Sequence, residues 1–259
     1  MYRFLLTPRW IGGFVLAVAA AAVMLLLGNW QHHRYDERNA LNARVDAGAT
    51  ATPADITTVL GRPAAPGTAG PRPADDAAWS RVTMTGRYDA ANEILVRSRT
   101  VNDAVGYEVV TPLVLADGTA VLVDRGWIPP APGGATAVPA VPAVPAGQVT
   151  VVGRVHPSES RPGAIERRDG RIQVRRVAVD QLAGELPYPV YGGYVLMTEQ
   201  TPAADPAFVP IPVEHENALQ NGGYAIQWWL FAAMALAAYG WLAWREAHPR
   251  PAAATPAAR

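Results

Sequence analysis

Two long apolar stretches lie near the ends of the chain and frame a more polar middle region. The first is uncharged over residues 10–27 and extends to residue 30 with Asn29 as its polar interruption. The second covers residues 224–244, with Gln227 as its main polar residue. A helix of about 20 residues rises about 30 Å, the thickness of a bilayer's hydrocarbon core. Because backbone groups in lipid must be bonded within their own segment, the pattern predicts transmembrane helices at 10–30 and 224–244.

Arginines flank the two predicted spans on their outer sides along the chain. Arg3 and Arg9 precede the first span, and Arg245 and Arg250 follow the second. Positively charged flanks stay on the cytoplasmic side, so both termini are expected there. The predicted segments are a cytoplasmic N-terminus (1–9), an extracytoplasmic domain (31–223) and a cytoplasmic tail (245–259).

Two alternatives concern the spans themselves. The first span could be a cleaved signal peptide, with a possible cleavage site at residues 17–19. Residues 23–27 continue the apolar run beyond that site, which favours a retained anchor. Small residues along both spans either allow the two helices to pack together or reflect an alanine-rich coding bias.

Alternating apolar and polar residues predict a β-rich middle domain. Asp117-Gly118 lies between two apolar runs, which is a strong hairpin signal. A second Asp-Gly pair, at 169–170, predicts another hairpin. Few connections are long enough for helical crossovers, so the strands are expected to be mostly antiparallel. The expected strands cover residues 79–88, 93–99, 107–115, 119–128, 149–156, 171–179 and 191–198. The fold class is therefore a membrane protein with two transmembrane helices and an extracytoplasmic, mostly antiparallel β-rich (α+β) domain.

Residues 137–145 form a three-residue repeat, Ala-Val-Pro, between two expected strands. Proline fixes φ and removes a hydrogen-bond donor, so the repeat favours polyproline II structure. We interpret it as an exposed insertion without chemistry of its own, with an interaction site as the alternative.

Composition narrows the possible functions. Charged residues make up 17% of the chain, below the roughly 25% of ordinary soluble domains, which agrees with membrane residence. The net charge is +0, so no nucleic-acid partner is expected, since phosphate neutralisation needs a cationic excess. There is no cysteine, which excludes disulfides and thiolate chemistry.

No catalytic motif is present, so no enzyme class and no metal ion are predicted. Glycine-rich nucleotide loops and the G-x-S-x-G elbow are absent from the sequence. His32, His33 and His215 are expected near the extracytoplasmic surface of the membrane that the two helices span. A heme needs one or two axial ligands and an apolar slot, so these imidazoles are tentative heme ligands. The alternative is that they are polar residues at the headgroup level.

Three separated segments resemble one family. The first is residues 27–34, the second combines 106–113 with 121–129, and the third is 224–228. The matching signature residues are Trp30, Gln31, Arg34, Gly106, Pro112, Arg125, Gly126, Trp127, Tyr224, Gln227 and Trp228. In order and spacing they resemble the surfeit locus protein 1 family, whose members assist assembly of heme-copper cytochrome c oxidase.

The resemblance implies a non-enzymatic assembly factor that assists heme A handling or insertion into subunit I. Its implied partners are subunit I, other assembly factors and the lipid bilayer. The implied location is the plasma membrane, as a multi-pass protein with its main domain extracytoplasmic. The family often has a histidine, considered a heme ligand, where this chain has Asn221.

Arg125 and Trp127 are tentative heme contacts on the same resemblance. The alternatives are an internal salt bridge for Arg125 and core packing for Trp127. For the chain as a whole, the alternative function is a membrane-anchored cell-envelope scaffold or an enzyme of unknown substrate.

Overall fold

The computed structural model describes residues 2–132, 139–213 and 215–248, which form two compact units. The first unit contains the chain up to Asn42 and again from Glu216 onward. The second unit runs from Ala43 to His215. We describe them as the helical unit and the β unit.

Two long helices make up the helical unit. After a 3-10 turn at Arg3–Leu6, helix α1 spans Pro8–Thr50, and its last residues belong to the β unit. Helix α4 spans Ala218–Ala247. Both are long and apolar enough to cross a membrane, which confirms the two predicted apolar helices. The polar residues after the first span continue the same helix, because no proline or glycine pair interrupts them.

In its described residues, the β unit contains nine strands and two short helices. Strands β1 to β5 are Ala54–Asp55, Arg81–Tyr88, Ile94–Val101, Ala104–Leu115 and Ala120–Ile128. Strands β6 to β9 are Val149–Pro157, Glu166–Arg168, Arg171–Val174 and Val190–Thr201. Helices α2 and α3 are Ile56–Val59 and Val179–Ala183, and a 3-10 turn covers Ala90–Asn92.

Five of the strands close into a ring. The strand order is β1-β2-β6-β9-β5-β4-β3-β8-β7, and β2 also pairs with β4. The ring β2-β6-β9-β5-β4 encloses an apolar cluster to which every one of these strands contributes, including Val82, Leu113, Val123, Val151 and Val195. A second cluster packs α3 and β8 against β3, β4, β5 and β9.

The sheet is mixed, and six of the nine pairings between the described strands are antiparallel, which agrees with the expectation of a mostly antiparallel domain. Three pairings are parallel: β1 with β2, β3 with β8, and β5 with β9. The last two join strands that are far apart along the chain, with other strands between them. Hairpin signals reveal only neighbouring strands, so these two pairings could not be predicted from local patterns.

Most expected strands are present with shifted ends. The strand expected at 171–179 ends at Val174, because the chain turns into α3 at Val179. The two-residue β1 was not expected. Strands β7 and β8 form the hairpin that Asp169-Gly170 predicted. Residues 137 and 138 of the proline repeat lie outside the described residues. The repeat from Pro139 onward is partly buried and not simply exposed.

Candidate functional site

The first and third signature segments hold the two long helices together. Gly28 lies so close to the Trp229 indole that a side chain at position 28 would overlap it. The Trp229 indole N–H donates to Asn29 Oδ1 over 3.3 Å. Nearer the start of α4, Asn221 Nδ2 donates to Gln31 Oε1 over 2.6 Å. Small residues and paired amides are the usual means of packing membrane helices, so the two helices pack through these contacts.

The other helical signature residues face outward in the helical unit. Trp30 and Tyr224 are exposed, as expected for rings at the headgroup level. Arg34 pairs with Glu37 on the same helix over 3.1 Å. Trp228 packs edge-to-face on Phe231. Gln227 is exposed and therefore does not face α1.

The central signature lies where β4 and β5 pair. Gly106 is buried, and a Cβ there would lie 2.5 Å from Cζ2 of Trp127. Trp127 is 6% exposed. Its indole N–H donates to the Arg99 carbonyl over 3.0 Å, and its backbone bridges to Val209. Gly126 has φ +129°, a conformation that a side chain would strain. Gly106 thus leaves the space that the Trp127 ring fills, and Gly126 lies close to Val209 and Phe208.

Arg125 is buried in an ion pair inside the β unit. Its Nη1 lies 3.3 Å from Glu93 Oε2, and the two side chains are 2% and 6% exposed. Glu93 also pairs with Arg171 over 3.3 Å and accepts a hydrogen bond from Thr111. Burial raises the pKa of Glu93, while Arg125 and Arg171 oppose that rise. This arrangement is the internal salt bridge that the sequence left as an alternative, and Pro112 is buried nearby on β4.

A second charged cluster surrounds Arg99. Its Nε lies 2.8 Å from Glu108, and its Nη2 lies 2.8 Å from Glu159. Asp124 is 1% exposed; its Oδ1 accepts from the Gly126 N–H, and its Oδ2 has no donor among the described residues. Burial first, then the Glu108 carboxylate, raises the pKa of Asp124 well above its ordinary value. With three carboxyl groups around one guanidinium, a proton retained on Asp124 relieves the like-charge repulsion.

Replacing Asp124 with asparagine should flatten the pH dependence of stability. Because the folded-state pKa of Asp124 is raised, the native chain binds a proton that the unfolded chain releases above about pH 4. The stability of the natural chain therefore falls as pH rises from about 4 through the folded-state pKa of Asp124. The Asp124→Asn variant lacks this loss, so its stability relative to the natural chain should increase with pH. Thermal unfolding of detergent-purified protein from pH 2 to 8 measures this.

Asp117→Asn is the matched control with the opposite sign. Hydrogen bonds from Thr119 lower the pKa of Asp117. Its stabilisation is therefore present above the ordinary pKa and lost as pH falls through the folded pKa. That variant should lose stability at neutral pH and match the natural chain in acid. If the unfolding temperatures of Asp124→Asn and of the natural chain changed in parallel with pH, Asp124 would not retain a proton in the folded state.

The tentative heme residues fall into two groups. His32 and His33 are exposed on α1, with His32 stacked on Tyr35. His215 belongs to the β unit and is 2.8 Å from Asp46 through Nε2. Arg125 and Trp127 are enclosed in the β unit, so neither offers an exposed group to a propionate. The imidazoles alone have the chemistry and exposure to serve as axial ligands.

Glu93, Arg99, Glu108 and Glu159 were not singled out from the sequence. They lie on different strands or loops, and no local spacing brings them together. One signal was available: Asp124 is a carboxylate within the apolar run of β5. An acidic residue in a buried strand requires a proton or a partner.

Comparison with known proteins assigns the chain to a family. The sequence model of the SURF1 (surfeit locus protein 1) family matches residues 18–233. SURF1-like proteins from Mycobacterium bovis and Mycobacterium tuberculosis are each 30% identical over 250 residues, covering 95% of this chain and 88% of theirs. A SURF1-like protein from Dictyostelium discoideum is 28% identical over 115 residues, covering 44% of this chain and 42% of its own length. The match takes in all three signature segments, and the chain belongs to the SURF1 family.

Proposed function

We propose that this protein is a membrane-anchored assembly factor for heme-copper cytochrome c oxidase and turns over no substrate of its own. The SURF1 family is known in general for cytochrome c oxidase assembly. The observation that carries the proposal is the family match over residues 18–233. That range includes most of α1, the whole β unit and half of α4, so it is not confined to one generic element.

The proposed placement puts both termini in the cytoplasm and the β unit outside the plasma membrane. The arginines at positions 3, 9 and 245 support this orientation. Subunit I of the oxidase and other assembly factors are the proposed partners. The exposed amide of Gln227 supports contact with a partner's helix, because an unpaired amide facing lipid is costly.

The finer proposal is that the protein assists heme A handling or insertion into subunit I. An imidazole of His32, His33 or His215 would supply the axial ligand. Asn221 is hydrogen-bonded to Gln31 and, as an amide, is a poor ligand for heme iron, so this position is not part of the proposed site. When bound, heme A would supply redox chemistry to the oxidase, not to this chain.

Deleting the gene tests the assembly role. The deletion strain should lose heme A absorbance and oxidase activity in its membranes while other respiratory enzymes persist. The natural gene should restore both, and so should a Glu199→Gln variant, which changes only an exposed ion pair. Normal oxidase spectra in the deletion strain would overturn the proposal. Co-purification with envelope proteins and not with oxidase subunits would favour the scaffold alternative.

The heme proposal has a separate readout. Detergent-purified protein from cells that make heme A should show a Soret band, and His32→Ala, His33→Ala or His215→Ala should shift or remove it. Absence of the band after adding heme would refute direct binding and leave the assembly role standing. Reporter fusions at both ends and within the β unit test the orientation.

A further inference from the structure

The proline repeat lies against the β unit as a strap, which we define as residues 139–145. Val141 packs against an apolar cluster formed by Leu95, Val109, Ile128 and Phe208. This contact lies beside the buried Arg125 and is made within the β unit. The strap therefore occupies a groove in its own domain.

Exposure along the strap repeats every three residues. Ala140, Ala143 and Ala146 are exposed, whereas the valines and prolines between them are partly buried. A polyproline II helix has three residues per turn, so an Ala-Val-Pro repeat presents alanine outward and the other two side chains inward. The sequence period and the burial period agree, which indicates a segment whose one face is fitted to the groove.

Arg125 binds the strap through its main chain. Its Nη1 donates to the Pro142 carbonyl over 3.3 Å, and its Nη2 donates to the Ala143 carbonyl over 3.1 Å. The same guanidinium lies 4.6 Å from the Phe208 ring centroid and 5.3 Å from that of Tyr88. An aromatic-lined groove with donors to backbone carbonyls is the usual way in which Pro-x-x-Pro segments are recognised. The strap contains that spacing at Pro139, Pro142 and Pro145.

We infer that the groove formed by Arg125, Tyr88 and Phe208 is a recognition site for polyproline II segments. In this structure the chain's own strap fills the groove, and a Pro-x-x-Pro segment of a partner protein takes its place. The chemistry of the partner follows from the occupant: a short apolar, proline-repeating peptide without charge. The inference is independent of the oxidase assignment, because it concerns the β unit alone.

Because the strap belongs to the same chain as the groove, it competes strongly with a free peptide for that groove. A segment that belongs to the same chain as its site is present there at an effective concentration in the millimolar range. A free peptide of the same sequence therefore binds weakly unless the strap is loosened. Replacing the three strap prolines with glycine loosens it, because glycine lacks the preset φ and enlarges the unbound ensemble.

Fluorescence anisotropy with a labelled Pro-Ala-Val-Pro-Ala-Val-Pro peptide tests the inference on the full chain in detergent. The Pro139→Gly, Pro142→Gly, Pro145→Gly triple variant should bind the peptide at least tenfold more tightly than the natural chain. A peptide with every proline changed to alanine should not bind. Equal binding by both proteins, or binding of the alanine peptide, would overturn the inference. A dimer that forms through the strap of a second copy would also overturn the partner assignment.

A second measurement covers the case in which the triple variant does not fold. In the natural chain, millimolar peptide should speed hydrogen exchange at the strap amides of Ala140, Val141, Ala143 and Val144. The alanine peptide serves as the control. Unchanged exchange at saturating peptide would show that the strap is a fixed part of the core and not a replaceable ligand.

Discussion

Replacing Glu93 with glutamine should lower the free energy of unfolding of the β unit by about 3–5 kcal/mol, the cost of breaking a buried ion pair. The substitution preserves shape but leaves the Arg125 guanidinium, with a side chain 2% exposed, without its counter-charge. Arg171 loses its partner as well. The measurement is guanidinium chloride unfolding of detergent-purified protein, followed by far-UV circular dichroism.

Two comparisons separate burial from charge. Glu199→Gln breaks a 2.6 Å pair with Arg81, but the Glu199 side chain is 64% exposed, so its effect should be below about 1 kcal/mol. Glu93→Leu combined with Arg125→Met should cost less than Glu93→Gln alone, because no buried charge remains unpaired. If Glu93→Gln and Glu199→Gln lowered the free energy of unfolding equally, burial of the ion pair would not matter.

Trp127→Ala should destabilise the β unit by about 3–5 kcal/mol, the range for truncating a large buried aromatic residue. The change opens a cavity against Gly106 and removes the donor to the Arg99 carbonyl. Arg99 holds two carboxylates, so its position also depends on this contact. The same denaturant titration, read by circular dichroism and not by tryptophan fluorescence, gives the shift in midpoint.

Trp127→Phe is the matched control for that prediction. It keeps most of the apolar volume but not the indole N–H, so it should cost clearly less than the alanine variant. If the alanine and phenylalanine variants unfolded at the same midpoint, the hydrogen bond and not packing would account for the effect. If neither variant differed from the natural chain in its unfolding midpoint, the packing role assigned to Trp127 would be wrong.

Local patterns in the sequence were enough to predict the two apolar helices and most strands. Uninterrupted apolar runs identify membrane-length helices, and Asp117-Gly118 identifies the hairpin between β4 and β5. The ring could not be predicted, because it depends on β5 pairing with β9 and β2 with β4. Those partners are separated by tens of residues. The alternation of apolar and polar side chains along a strand does not show which distant strand pairs with it.

The site shows the same division. Arg125, Gly126 and Trp127 were found through resemblance to the family. Their surroundings depend on Glu93, which directly precedes β3, and on the strap, and both are distant in sequence. The buried ion pair of Arg125 could therefore be predicted only as an alternative. The repeat's composition predicted polyproline II structure. It did not predict contact with the domain, because Ala, Val and Pro are all apolar and give no contrast between an inner and an outer face.

The three-residue period of the strap also limits how its length can vary. Adding or removing one whole Ala-Val-Pro unit, nine nucleotides of coding sequence, leaves every valine and proline turned toward the domain. Gain or loss of a single residue rotates the remainder by a third of a turn and directs alanine inward. Changes of strap length in steps of one repeat should therefore preserve the contact with the domain, whereas other steps should disturb it.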